Sequence, residues 1–276
     1  MSARFEGNKM PPLNIKLLSD IHLELMKGYL GMSHFIPPDQ DVDIICLCGD
    51  IGDPSKPSFA QFLKDCTMRC NMHTFLIMGN HEAYGNTVEK AANNVAQICT
   101  NINEHNGTDI QKLVFLNNTS FDIPHHNLRV LGSTLWTEVD PQEAWDIQCF
   151  ISDFRRIQQW GIGDNNEAFH TNIAWLRASL QQAREDEVKT IIMTHHVPLM
   201  NLGHPRHAAS PLKSAFSSDL YNFIKANTDV ISYWFYGHDH FSTKKIIDTT
   251  TIMSNQMGYE GEESMTHFNH DLVIEY

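Results

Sequence analysis

The chain has 276 residues, 42% of them hydrophobic, which suffices for one large α/β domain with its own core. Lysine and arginine total 20 against 33 acidic residues, a formal charge of −13 that no basic run relieves. Such a surface repels polyanions, so nucleic acid is disfavoured as a partner, whereas a small phosphorylated substrate drawn to a local cationic site is not.

Residues 1–12 are polar and lack the apolar centre of a signal peptide, and no later run reaches the roughly 18 apolar residues of a membrane span. The expected setting is the cytoplasm, with no membrane partner. A first strand is predicted from Leu13 to Ser19, ending at Asp20, and a second from Asp43 to Cys48, ending at Gly49-Asp50. Phe59, Phe62, Leu63, Cys66 and Cys70 then fall at helical spacing. His73 to Met78 is a third strand, delivering Gly79-Asn80-His81-Glu82. Asp20, Asp50 and Asn80 are thus about thirty residues apart, the length of one βαβ unit. Repeated units of that size predict a mainly parallel sheet whose functional loops collect at the carboxyl ends of its strands.

Val88, Ala91, Ala92, Val95, Cys99 and Ile102 mark a second helix, followed by β-like pieces at Lys112 to Leu116, Thr119 to Ile123 and Arg129 to Trp136. Asp140-Pro141 reads as an N-cap followed by proline at the first helical position, so a short helix is predicted to begin there. Residues 149–166 hold Asp153, Arg155, Arg156, Gly161 and Gly163 with little periodicity and are expected to form a loop or cap beside the site. Helical spacing returns at Phe169, Ile173, Leu176 and Leu180, and Val188 to Met193 is a buried strand leading into His195-His196. Residues 199–212, with Gly203, Pro205 and Pro211, read as a long loop of the functional kind.

One more helix is expected at Phe216, Leu220, Phe223 and Ile224, then a strand from Val230 to Phe235 that ends at Gly237-His238-Asp239-His240. The tail, with Lys244 to Asp248, Thr250 to Met253 and Asp271 to Glu275, reads as antiparallel strands joined through the Gly258 and Gly261 turn region. No repeat or linker divides residues 12–276, so a single domain is expected. The six cysteines follow no disulfide framework and read as reduced core thiols; Cys66, Cys70 and His73 match no common zinc pattern.

Five blocks stand just after strand-like runs: Asp20-x-His22, Gly49-Asp50, Gly79-Asn80-His81-Glu82, His195-His196 and Gly237-His238-x-His240. Each alone has an ordinary explanation as a turn, a cap or a packed histidine. Together they would place four histidines, two aspartates and an asparagine at strand ends with no cation to relieve their desolvation. Carboxylate mixed with imidazole and amide suits Mn²⁺, with Fe or Zn²⁺ as alternatives, and the ligands suffice for two divalent ions.

These blocks, in this order, resemble the calcineurin-like metallophosphoesterase superfamily, whose signature is DxH, GD, GNH followed by an acid, an isolated histidine block and GHxH. The resemblance spans nearly all of the chain beyond residue 12. It implies a two-sheet β-sandwich of mixed strands flanked by α-helices. It also implies that Asp20, His22 and His240 bind one metal, that Asn80, His195 and His238 bind another, and that Asp50 bridges both. His81 resembles the family histidine that contacts the phosphate and protonates the leaving oxygen, with Glu82, where many members have aspartate, in a position to orient it. His196 is expected to touch substrate or orient a ligand, and Arg155, Arg156 or Arg206 to fork onto a phosphate. Asn255, Gly258, Tyr259, residues 132–136 and the Ser152 to Arg155 stretch resemble a single-domain bacterial-type branch.

The implied activity is hydrolysis of a small phosphomonoester or phosphodiester by a hydroxide bridging two metal ions, without a covalent enzyme intermediate. Two alternatives stay open: a nuclease, which needs Arg155, Arg156, Arg206, Lys244 and Lys245 gathered beside the metals, and a noncatalytic protein-interaction scaffold. The substrate, the metal, the oligomeric state and the pathway are not legible in these residues.

Overall fold

Apolar residues occupy both faces of the first three strands, so each must be covered on two sides. The computed structural model describes residues 11–28, 31–105, 112–205, 209–262 and 267–276. In it β1 (Asn14–Leu18), β2 (Ile44–Cys48) and β3 (His73–Ile77) lie parallel, with β4 (Leu113–Phe115) parallel beside β3 and β11 (Ile274–Glu275) antiparallel along the edge of β1. The second sheet has the order β5 (Thr119–Ile123), β6 (Leu128–Gly132), β7 (Lys189–Met193), β8 (Ile231–Tyr236), β10 (Thr250–Ser254) and β9 (Lys244–Ile247). Its four central strands are parallel and its two edge strands antiparallel.

The period of two along each strand sorts the core into layers. Ile15, Leu17, Ile44, Cys46, Phe75 and Ile77 meet Val130, Ile191, Met193, Phe235 and Met253 between the sheets. Leu18, Ile45, Leu47 and Leu76 face outward onto α1 (Pro57–Arg69) and α2 (Val88–His105), while Leu131, Ile192, Trp234 and Ile252 join the same outer cluster as α5 (Ile162–Glu185). The expected sandwich of mixed strands flanked by helices is therefore the observed fold. The buried cysteines are free, as expected. Among the described residues no helix is long and apolar enough to cross a membrane.

Several expected boundaries shift, each for a local reason. The strand expected through Trp136 stops at Gly132, because Leu135 adopts φ 51° and Thr134 turns its carbonyl to the amides of His195 and His196. The helix expected at Asp140 begins at Ala144 (α3, Ala144–Phe150); Asp140 instead closes a turn by accepting the amides of Gln142 and Glu143.

Residues 149–166 are not merely a loop. They contain α4 (Asp153–Arg156) and the start of α5. That start escapes a periodicity test because its inward residues are polar: Asn165 donates to the Thr137 carbonyl, while Asn166 and Asn172 accept the amides of Val139 and Trp136. Asp164 supplies the helix-start signal by accepting the Gly161 amide at 2.8 Å.

The helix expected from Phe216 shrinks to α6 (Tyr221–Lys225), since Ser217 and Asp219 are held extended by bridges to Val197 and Leu199. At the tail, β9 and β10 pair as expected, but β11 crosses to the first sheet, where Ile274 aligns with Ile15.

Candidate metal centre

The carboxyl ends of β1, β2, β3, β7 and β8 converge at one edge of the sandwich, and the five sequence blocks follow them directly. Backbone bonds stitch those ends together: the Asp20 amide donates to the Gly49 carbonyl, the His22 amide to Asp50, and the Gly237 amide to His195. Asp20, His22, Asp50, His238 and His240 all take positive φ, between 52° and 86°. Left-handed backbone at a non-glycine residue costs roughly 1–3 kcal/mol and persists where surrounding structure imposes it, typically at functional sites. The block glycines allow close approach instead. A Cβ at Gly79 would overlap Oδ1 of Asp50, and one at Gly237 would overlap Oγ of Ser19.

The side chains form overlapping clusters around Asp50. Ligand-type atoms of Asp20, His22 and His240 lie within 4.8 Å of one another, as do those of Asp50, His195 and His238 and those of His22, Asp50 and His81. Oδ2 of Asp50 is 3.7 Å from Nε2 of His22 and 3.5 Å from Nε2 of His195, so it stands between the first two groups. Asn80 joins the His195 side, its Oδ1 2.9 Å from His195 Nε2.

Which ring nitrogen faces inward follows from what the other one does. Nδ1 of His195 donates to the Cys48 carbonyl at 2.9 Å, Nδ1 of His22 to Glu24 at 3.1 Å, and Nδ1 of His240 to Glu262 at 2.7 Å. All three therefore turn Nε2 to the centre, where it takes a proton or a cation. Nε2 of His22 stands 3.0 Å from that of His240, and Nδ1 of His238 stands 3.2 Å from Nε2 of His195. Nε2 of His22 against Nε2 of His240, with both Nδ1 atoms already committed to carboxylates, is repulsive unless a cation or proton lies between. The donor set thus fits divalent metal, with the two groups meeting at Asp50.

Electrostatics agree in direction. Asp50 pays desolvation, yet His195 and His81 hold its carboxyl well below the ordinary value. Burial depresses His195, but Asp50 outweighs it and lifts the imidazole to about 10. His81 behaves alike: burial lowers it, Asp50 and Glu24 raise it, and it settles at about 8.

Of the remaining expected contributors, Glu82, Arg155 and Arg156 make other contacts, and His196 packs on a candidate ligand. Glu82 does not touch the His81 ring; its carboxylate accepts the amides of Asp50, Ile51, Gly52 and Gly79, tying two blocks together beneath the centre. His196 is fully buried, where desolvation and His195 push it down to about 3, and it packs 4.1 Å from the His238 ring without reaching the cavity. Arg155 is directed at the carbonyls of Cys149 and Phe150 at the end of α3, and Arg156 lies over the Tyr84 ring. Arg206 lies outside the described residues.

Other residues were not legible in the sequence as parts of this site. Glu24 and Glu262 orient imidazoles. Asp153 accepts Nδ2 of Asn80 at 2.8 Å and the Tyr84 hydroxyl at 2.7 Å, so the amide oxygen of Asn80 faces His195. Tyr259 places its hydroxyl 3.3 Å from Nε2 of His81. For Glu24 the one sequence signal is its offset of two from His22; Asp153 and Tyr259 fall in stretches with the branch resemblance, which assigns them no role, and Glu262 has no signal.

A cavity of about 730 Å³ opens beside the cluster, reaching Asp50, Asn80, His81, His238 and His240. Residues from both 149–166 and 199–212 contribute to its walls, Ile151 and Leu212 among them.

Comparison with known proteins follows the same outline. The sequence profile of the family described as calcineurin-like phosphoesterase matches residues 13–242. Uncharacterized protein L509 of Acanthamoeba polyphaga mimivirus is 27% identical over 276 aligned residues, covering 91% of this chain and 92% of that protein. Among solved structures, the phosphopantetheinyl hydrolase PptH of Mycobacterium tuberculosis superposes with a TM-score of 0.68 at 14% identity, covering 96% of this chain and 95% of that one. A dimetal phosphatase from Danio rerio gives 0.52 at 14% identity, with 89% and 87% covered. At such identities the structural likeness speaks to the fold.

Proposed function

Since this chain belongs to the calcineurin-like phosphoesterase family, we propose that it hydrolyses the ester bond of a small phosphomonoester or phosphodiester at two divalent cations. The observation that carries the reading is the convergence of ring nitrogens of His22, His240, His195 and His238 around Oδ2 of Asp50. Asp20, His22 and His240 would hold one ion, Asn80, His195 and His238 the other, and Asp50 would be shared. Manganese is the proposed ion, because the set mixes hard carboxylate and amide oxygens with imidazole; iron and zinc suit the same donors. When bound, the pair supplies Lewis acidity and lowers the pKa of water toward neutrality.

The chain's own groups do the rest. Glu24 holds the Nδ1 proton of His81, so Nε2 is the nitrogen turned toward Asp50 and Tyr259. Asp50 and Glu24 favour a second proton on His81, and Nε2 is placed to pass it to the departing ester oxygen. Asp153 and Tyr84 keep Asn80 in one orientation, and Glu82 locks the Asp50 and Gly79 turns against each other.

A cytoplasmic protein with a small phosphorylated substrate is the setting we propose. A nuclease is less well supported, because Arg155 and Arg156 are committed to carbonyls and to the Tyr84 ring, and Lys213 is the one lysine or arginine among the described lining residues of the cavity. The test is hydrolysis of p-nitrophenyl phosphate and its bis ester by protein loaded separately with Mn²⁺, Fe²⁺ and Zn²⁺. Metal-dependent release of p-nitrophenol is expected; inertness of all three forms toward both esters would favour the scaffold.

A further inference from the structure

The cavity is far larger than a phosphate group needs and falls in the range of roughly 300–1,000 Å³ that encloses a drug-sized ligand. Its lining is mixed. The cluster and its carboxylates share the lining with Phe150, Ile151, Met200, Leu212 and Phe216; of these Ile151, Leu212 and Phe216 belong to one apolar cluster, and Phe216 packs 5.1 Å from the His238 ring. Phe150 is 65% exposed and Met200 37%, so large apolar surface meets solvent directly beside the charged centre, an arrangement that marks a binding surface.

The polar groups of the described lining bear on which occupant those apolar residues accept. Beyond Asp50, the described lining carries Asp153, Asp239 and Glu262 against Lys213 alone. Asp239 already accepts the His204 amide and Nε2 of Gln256, and Glu262 accepts His240. These carboxyl groups are committed within the fold and offer no donor to a second phosphate.

We infer that the apolar wall binds the non-reacting arm of the substrate, and that this arm is uncharged and largely aliphatic. The inference rests on the hydrolase reading for the position of the phosphorus, and on the cavity for the arm. A substrate with one phosphorus at the cluster and a hydrocarbon-like chain along Phe150, Leu212 and Phe216 buries the exposed wall. A nucleoside diphosphate or an oligonucleotide brings a second anion to carboxyl groups that offer it no donor.

The test compares methylphosphonate and hexylphosphonate binding to Mn²⁺-loaded protein by titration calorimetry, alongside hydrolysis of p-nitrophenyl methyl and p-nitrophenyl hexyl phosphate. The hexyl compound should bind about tenfold more tightly, the effect of burying some two of its methylenes, and kcat/KM should rise by a similar factor. Phe150→Ala removes a side chain that is mostly in solvent, so folding is not at stake, and it should cut this preference at least threefold or so. Equal affinities for the two phosphonates, an undiminished preference in Phe150→Ala, or tighter binding of adenosine diphosphate would each overturn the arm site. Tight hexyl binding without turnover of either ester supports the arm site while overturning the hydrolase reading. Equal turnover of both esters with equal phosphonate affinity does the reverse.

Discussion

Oε1 of Glu24 lies 3.2 Å from Nδ1 of His81, so the carboxylate that orients this imidazole comes from the turn after β1, not from the adjacent Glu82. The same oxygen is 3.1 Å from Nδ1 of His22. One acid thereby fixes the tautomers of a candidate ligand and of the candidate proton donor. Burial disfavours its charge, but the two imidazole hydrogen bonds and the coulombic pull of His22 bring Glu24 down to about 2, so it stays ionised at any working pH.

Glu24→Gln should therefore lower turnover by roughly ten- to a hundredfold. The sign of its pH effect follows from the charge removed: the anion raises His81, so its loss lowers the His81 pKa and moves the alkaline limb of kcat to lower pH. Bound cations act on both proteins alike, so the difference between the two profiles is the readout. An unmoved limb would show that Glu24 does not set the His81 proton.

His81→Ala should keep its metal while losing about 10²- to 10⁴-fold in turnover, because the ring is placed as an acid and not as a ligand. Elemental analysis of the purified variant checks this. Loss of metal would move His81 into the ligand set.

Asp50 shares one oxygen between both candidate ligand groups. In Asp50→Asn we expect no measurable turnover and weaker retention of both ions. Chelation of the wild type should lower its melting temperature more than chelation of the variant, since ions bound only by the folded state stabilise it by mass action. A variant with full activity would falsify the shared-carboxylate assignment.

Asp153→Ala loosens the Asn80 amide, since Asn80 Nδ2 keeps only the Tyr84 hydroxyl as acceptor and that hydroxyl loses the carboxylate that holds it. Affinity at the Asn80 side should fall roughly ten- to a hundredfold, leaving one tightly held ion where the wild type keeps two. Competition with a chelator of graded strength measures this, and two equally tight ions in the variant would contradict it.

Gly79→Ala places a methyl group where Oδ1 of Asp50 now sits, against backbone that cannot retreat because Glu82 holds the amides of both Gly79 and Asp50. We expect metal loss together with a destabilisation of about 1–3 kcal/mol, the usual range for forcing extra volume into a packed site. Urea denaturation of the metal-free proteins checks the stability part, and wild-type midpoints would refute it.

Local pattern determined much of this protein. The apolar runs before Asp20, Asp50, Asn80, His195 and His238 place those residues at strand ends, and spacing near thirty residues makes the first strands parallel, so their carboxyl ends must share an edge. Periodicity also exposed the stripes of α1 and α2. Only the tertiary structure decided which groups orient the ring nitrogens, because Glu24, Asp153 and Glu262 are chosen by the direction of turns and by left-handed backbone at five site residues, and neither leaves a period in the sequence. The start of α5 was hidden for a related reason: its inward asparagines satisfy the irregular segment after β6, so polar contacts stand where a hydrophobic stripe was sought. Likewise the cavity wall joins Phe150 to Leu212 and Phe216 across some sixty residues, a juxtaposition made by chain crossing and not by any nearby signal.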